Sequence, residues 1–144
     1  MITAIHNLIY SDDAAATRAF FKEVLRWPHV SDSSDGSAPL EGADVDDGAP
    51  ESWLIFDTGP SELGVHPTVS THGGREYRSE RHHSISLMCD DLAATMAELG
   101  ERGAEFAGEP VDMGFGIGVN LKVPGADDML LYQPRHAVAY RAAE

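Results

Sequence analysis

The sequence predicts an α+β fold made from one unit used twice, and three observations carry that reading. The stretch Asp12-Asp13-Ala14-Ala15-Ala16-Thr17-Arg18-Ala19 returns 78 positions later as Asp90-Asp91-Leu92-Ala93-Ala94-Thr95-Met96-Ala97, with six of eight positions identical. A strand-like run precedes each copy and an amphipathic helical pattern follows it. Each unit also closes alike, on Leu63-Gly64-Val65-His66-Pro67 and on Leu130-Leu131-Tyr132-Gln133-Pro134. Two copies are too few for a solenoid, so two half-domains sharing a cleft is the expected arrangement.

The elements follow in order. Residues 2–10 are rich in β-branched and aromatic side chains and read as a strand. Ser11 or Asp12 can cap the helix behind it, which runs to about Leu25 on a Phe20/Val24 and Phe21/Leu25 stripe and stops before Pro28. Residues 31–50 hold six acidic residues and neither Lys nor Arg, and read as a solvated loop or lid that hides at most a short strand near His29–Val30 or Leu40. Within it, Asp44 to Gly48 lacks the later Glu of a calcium loop. Trp53 to Asp57 is a strand, with Glu62 to His66 its hairpin partner across a Thr58-Gly59-Pro60 turn. That closes a first unit at 1–67, and 68–81, with Gly73-Gly74, reads as a linker.

The second unit, 82–134, opens with a strand from His82 to Cys89. Its helix, about Asp91 to Arg102, carries Leu92, Met96 and Leu99 on one face, and Gly103 suits its C-terminus. A strand near Ala104–Phe106 leads to the glycine-rich 113–118, then strands Val119–Val123 and Met129–Gln133 around a Pro124-Gly125 turn. The glycine run is not a dinucleotide fingerprint, because no strand–helix junction surrounds it. Residues 135–144 are a tail, and the whole of 1–144 reads as a single domain.

Composition excludes several functions. A net charge of -14 over 144 residues argues against nucleic acid and anionic membranes, which require clustered cations. One cysteine, Cys89, permits no disulfide framework. Neither a signal peptide nor a membrane span is legible, so a cytoplasmic protein is expected.

Strand parity selects the candidate site residues. In the second unit Ile85, Leu87 and Cys89 make the face that meets the helix, which sends His82, Ser84, Ser86 and Met88 to the opposite face. The 78-residue offset places His6 in register with Ser84, and Leu63/Val65 parity leaves Glu62 and His66 on the same side. His6, Glu62 with His66, and His82 are thus expected to face one concavity with donors suited to Zn, Ni, Fe or Mn. His29, His72 and His136, in loops or tail, are read as non-ligands.

Taken together, His6-Asn7-Leu8-Ile9-Tyr10-Ser11-Asp12-Asp13, Trp53 to Gly59, Leu63 to Pro67, Asp90-Asp91-Leu92, Pro124-Gly125 and Leu131-Tyr132-Gln133-Pro134 resemble the vicinal oxygen chelate superfamily. That group includes glyoxalase I, bleomycin-resistance proteins and extradiol dioxygenases. The resemblance implies paired βαβββ modules whose curved mixed sheets enclose a cleft, helices on the outer faces, a homodimer, and a small-molecule ligand. It also implies a divalent metal held by first and last strands, here His6, His66 and His82, with Glu62 an alternative to His66 in the end strand. Glu62 and Tyr10 would then move protons, and Ser84, Ser86, Phe115 and Leu130 would touch substrate. Leu130 stands where the family pattern carries a Glu, and leucine cannot ligate a metal. Two functions therefore remain expected: a metal-dependent lyase, isomerase or dioxygenase, or a non-enzymatic ligand-binding protein that needs no metal.

Overall fold

The computed structural model describes residue 4 and residues 6–31, 54–65 and 67–139. The chain is α+β throughout them. Expected features at Leu40, Trp53 and His66, the end of the tail (140–144) and nearly all of the acidic loop lie outside the described residues.

The repeat has a physical cause. Asp13 caps the first helix, α1 (Ala14–Ala19), by accepting the Ala16 N–H at 3.0 Å, and Asp91 caps α2 (Leu92–Glu101) by accepting the Ala94 N–H at 2.9 Å. Thr17 and Thr95 each donate a hydroxyl to the backbone carbonyl of the same Asp, at 3.1 and 2.7 Å. The shared Asp-x-x-x-Thr spacing therefore satisfies orphan groups at both helix starts in the same way.

From α1 the chain widens into a π-helical turn, Phe20–Val24, in which the Leu25 N–H donates to the Phe20 carbonyl at 3.1 Å. That i→i+5 step rotates two consecutive aromatics inward. Phe20 and Phe21 are each 6% exposed, and they share one core with Leu92, Leu99, Val119, Leu121, Val123, Met129 and Leu131.

The second half builds a β–α–β–β–β unit. Strands β5 (Ser86–Met88), β6 (Phe106–Asp112), β7 (Gly116–Leu121) and β8 (Met129–Pro134) form one sheet in the order β5-β8-β7-β6, with β5 and β8 parallel and the other pairs antiparallel. The helix connecting β5 to the later strands lays Leu92 and Leu99 on the sheet as its apolar spacing predicts. The Leu92 N–H also donates to Gln133 Oε1 at 3.1 Å, which fastens the start of α2 to β8.

The Pro124-Gly125 turn joins the halves. Gly125 O accepts the Asp12 N–H at 2.8 Å and the Ser11 hydroxyl at 2.9 Å, and the Pro124 carbonyl lies within reach of the buried Thr17 hydroxyl. Gly125 has φ +78°, and a Cβ there would sit 2.5 Å from Ser11 Oγ and 2.7 Å from Asp13 O. Conformation and close approach both demand glycine.

Several first-half expectations are corrected. The described residues 6–10 form no strand, and Tyr10 is 91% exposed. Residues 61–65 likewise form none, with Leu63 80% and Val65 95% exposed. Asp57 accepts the Gly59 N–H at 2.9 Å in a side-chain turn, and Gly59 takes φ +75°, which leads the chain away from a hairpin. The segment β2 (Leu54–Phe56) pairs instead with β1 (His29–Ser31), antiparallel, His29 opposite Phe56. The expected linker contains a ribbon of β3 (Val69–His72) and β4 (Arg75–Arg78) around Gly73-Gly74, whose positive φ values suit a tight hairpin turn. In the second half, His82 and Ser84 precede β5 rather than lying in it, so strand parity does not orient them. Among the described residues no helix is long and apolar enough to cross a membrane.

Candidate functional site

The sheet β5-β8-β7-β6 has one face against α2 and one turned away. In β8, Met129 and Leu131 enter the core, so alternation sends Leu130 and Tyr132 to the other face. In register beside them stand Ser86 and Met88 of β5, and Gly118 and Asn120 of β7. A Cβ on Gly118 would lie 2.9 Å from both Leu130 Cδ1 and Tyr132 Cβ. These two side chains, with Met113 Cε 2.6 Å from the same position, therefore occupy the space above β7, and glycine makes that possible. Tyr132 is only 8% exposed and belongs to this face rather than to the helix-side core.

A polar corner forms at the Tyr132 end. The Tyr132 hydroxyl lies 3.0 Å from His136 Nε2, and His136 Nδ1 lies 2.8 Å from the Ala137 carbonyl. A carbonyl only accepts, so Nδ1 carries the proton in the neutral ring and Nε2 accepts from Tyr132. Glu62 Oε1 stands 4.0 Å from the same Nε2, and Glu62 Oε2 accepts the Ala139 N–H at 2.7 Å. Phe115, 48% exposed, closes one side with its ring edge-on to Tyr132, centroids 5.6 Å apart. Carboxylate, imidazole, phenol and an open aromatic ring thus meet in one place. Such a set can hold a positive charge beside a flat apolar surface.

The turn carrying Phe115 is tied down. Arg135 Nη1 lies 2.7 Å from each carboxylate oxygen of Asp112, the Arg135 N–H donates to the Phe115 carbonyl at 2.8 Å, and Asp112 accepts the Gly114 N–H at 2.9 Å. The Arg135 guanidinium, with the Gly114 N–H, holds the Asp112 carboxyl below the usual aspartate range. Cys89, directly after β5 and packed against the core, is a different case. Burial pushes its thiol up, Asp90 and Asp91 push the same way, and a Thr95 hydrogen bond opposes them.

The structure gathers the sequence-predicted residues only in part. Glu62 and Phe115 reach the corner through His136 and Tyr132, and Ser86 and Leu130 are register partners on the same face. Ser84 is exposed ahead of β5, and Tyr10 and His6 are exposed in the N-terminal segment. His82 is exposed with Nδ1 2.8 Å from the Glu80 carbonyl. His66 lies outside the described residues. Among those residues, no three His, Cys, Asp or Glu side chains are grouped as a metal site requires. Leu130 in the last strand supplies no donor, and His66, one of the three expected ligands, is not among the described residues.

His136 and Tyr132 are the site residues that sequence reasoning missed. His136 sits in the tail with no periodic pattern around it, and Tyr132 is masked by its apolar neighbours. The available signal was the alternation of β8, which puts Tyr132 on the Leu130 face.

A family model described as Glyoxalase/Bleomycin resistance protein/Dioxygenase superfamily matches residues 3–121. Among solved structures, the chain is similar to a member of the glyoxalase/bleomycin resistance protein/dioxygenase superfamily from Sphaerobacter thermophilus. Identity is 16%, the alignment covers 92% of this chain and 98% of that one, and the TM-score is 0.53, a likeness of fold. It also aligns with an integron cassette protein from the mobile metagenome of V. cholerae at 12% identity, over 92% of this chain and 98% of that one, with a TM-score of 0.49. No curated protein matches.

Proposed function

Because the chain belongs to the glyoxalase/bleomycin resistance protein/dioxygenase superfamily, we propose that it binds a small organic cation with a flat apolar body and does so without catalysis. The ligand lies on the face of Leu130 and Tyr132, its ring against Phe115 and its charge toward Glu62. The observation that carries this reading is the corner itself: Glu62 4.0 Å from His136, His136 3.0 Å from Tyr132, and Phe115 edge-on to Tyr132.

Each group has a separate task. Glu62 attracts the cation, and the Ala139 N–H fixes the carboxylate's orientation. Tyr132 and Phe115 supply apolar and cation–π contact. Leu130 adds apolar surface at the position where the family pattern carries a ligating carboxylate. The acidic surplus of -14 raises the local concentration of a cation near the protein. The same reading takes the chain as a homodimer, supported by Leu63 and Val65, which stand 80% and 95% exposed.

Berberine, a planar aromatic cation, is a suitable probe, with 1-anilinonaphthalene-8-sulfonate as the anionic control. Fluorescence titration should give micromolar binding of berberine and none of the anion. Glu62→Gln should weaken berberine roughly tenfold, the range of one charge-assisted contact. Equal affinity for the cation and the anion would remove the reading.

A further inference from the structure

We infer that Arg135 is the positioning residue that sets the geometry of this aromatic corner, and with it the selectivity for flat ligands. The inference rests on the small-molecule reading of the site. Arg135 follows β8 directly and reaches two walls at once. Its side chain contacts both oxygens of Asp112 at 2.7 Å, at the point where β6 gives way to the turn before β7. Its backbone N–H holds the Phe115 carbonyl at 2.8 Å near the tip of that turn. The next residue in the chain is His136, the partner of Tyr132.

Magnitude separates a positional role from a stabilising one. Arg135 and Asp112 side chains are 48% and 59% exposed, and an ion pair so open to water contributes little to folding. What it fixes is a glycine-flanked turn. Gly114 has φ +82°, and Gly116 accommodates the Tyr132 ring so closely that a Cβ would lie 2.9 Å from its Cδ2. The turn closes on itself through the Met113 N–H, which donates to the Gly116 carbonyl at 2.9 Å, while the Phe115 side chain at its tip is half exposed. The clamp on Asp112 and on the Phe115 carbonyl therefore sets how far that ring stands from Tyr132. A loosened turn lets the Phe115 ring move off Tyr132 and costs its contact with a flat ligand.

The test uses Arg135→Gln, Asp112→Asn and the charge-swapped double variant D112R/R135D in the full chain. Tyr132 ring resonances are read by NMR and berberine affinity by fluorescence. Both single variants should keep the wild-type unfolding midpoint, move the Tyr132 resonances toward random-coil positions, and weaken berberine about fivefold, the scale of one aromatic edge contact. The swapped pair rebuilds the ion pair but loses the acceptor for the Gly114 N–H, so it should restore part of both signals, which a merely local packing defect would not allow. Single variants with unmoved Tyr132 resonances and wild-type affinity would overturn the inference, as would a swap that restores neither. If the wild-type chain binds no berberine, the small-molecule reading falls and the resonances alone decide whether Arg135 positions the corner.

Discussion

Gly125 shows most plainly how one residue carries the assembly of both halves. Its carbonyl takes the Asp12 N–H and the Ser11 hydroxyl, its φ is +78°, and its missing Cβ leaves room for Ser11 Oγ and the Asp13 backbone. Substitution by alanine would strain the left-handed backbone and push a methyl group against main-chain atoms that cannot rotate away. Gly125→Ala should therefore cost about 2 kcal/mol or more, read as a lower urea midpoint with an unchanged slope. Alanine at Gly59, which takes φ +75° with nothing within 4 Å of its Cβ position, meets the backbone strain alone and should cost about 1 kcal/mol. Equal losses at both positions would mean that contact with Ser11 and Asp13 adds nothing. The Pro124-Gly125 dipeptide announces a turn in the sequence. That the turn clamps the start of a helix more than a hundred residues earlier is a tertiary fact with no local signature.

At the scale of elements, local signals were reliable wherever local physics decided the outcome. The Leu92, Met96, Leu99 spacing gave a real amphipathic helix, Asp91 capped it, and Gly103 ended it with φ +90°. Alternation in Met129 to Gln133 put Leu131 in the core and Leu130 opposite it. Signals failed where pairing partners had to be chosen at long range. The β1–β2 pairing spans the acidic loop, and the Glu62–Ala139 hydrogen bond joins residues 77 apart, distances over which no periodicity survives. The Gly73-Gly74 pair is a turn signal, but its polar and charged flanks, which carry no apolar alternation, made the segment read as a linker. The π turn was hidden as well, since a stripe of Phe20/Val24 and Phe21/Leu25 is compatible with an ordinary helix. Its consequence can be measured. Phe21 meets Trp27, Phe56 and Phe20 with ring centroids 5.0, 5.5 and 6.0 Å away, so Phe21→Ala should destabilise by about 3–4 kcal/mol. Tyr10→Ala, at a side chain 91% exposed, should lie within about 0.5 kcal/mol of wild type. A loss at Tyr10 equal to that at Phe21 would mean that the N-terminal segment packs in solution.

At the scale of the whole molecule, two tendencies oppose one another. Leu63, Val65, Leu8 and Tyr10 are 80%, 95%, 57% and 91% exposed, and apolar surface of that kind favours association with a second copy. A net charge of -14 per chain opposes it, because two such chains repel before their surfaces meet. Salt decides between these terms. At about 0.15 M the Debye length is roughly 8 Å, so distant carboxylates on opposing copies hardly sense each other, whereas at about 0.01 M it is roughly 30 Å and the whole charge acts. Apolar contact is not screened, since it depends on area removed from water. A homodimer held through the exposed segments should therefore tighten as salt rises, the reverse of an assembly held by ion pairs. Light scattering near physiological salt should give twice the 15.5 kDa chain mass, and lowering the salt should release monomer at the same protein concentration. Leu63→Glu with Val65→Glu should give monomer at every salt concentration while leaving the core around Leu121, 0% exposed, intact by circular dichroism. A wild-type chain that stays at monomer mass at high salt and high concentration would overturn the dimer. A dimer that weakens with salt would show that charge, and not the exposed apolar side chains, brings the copies together.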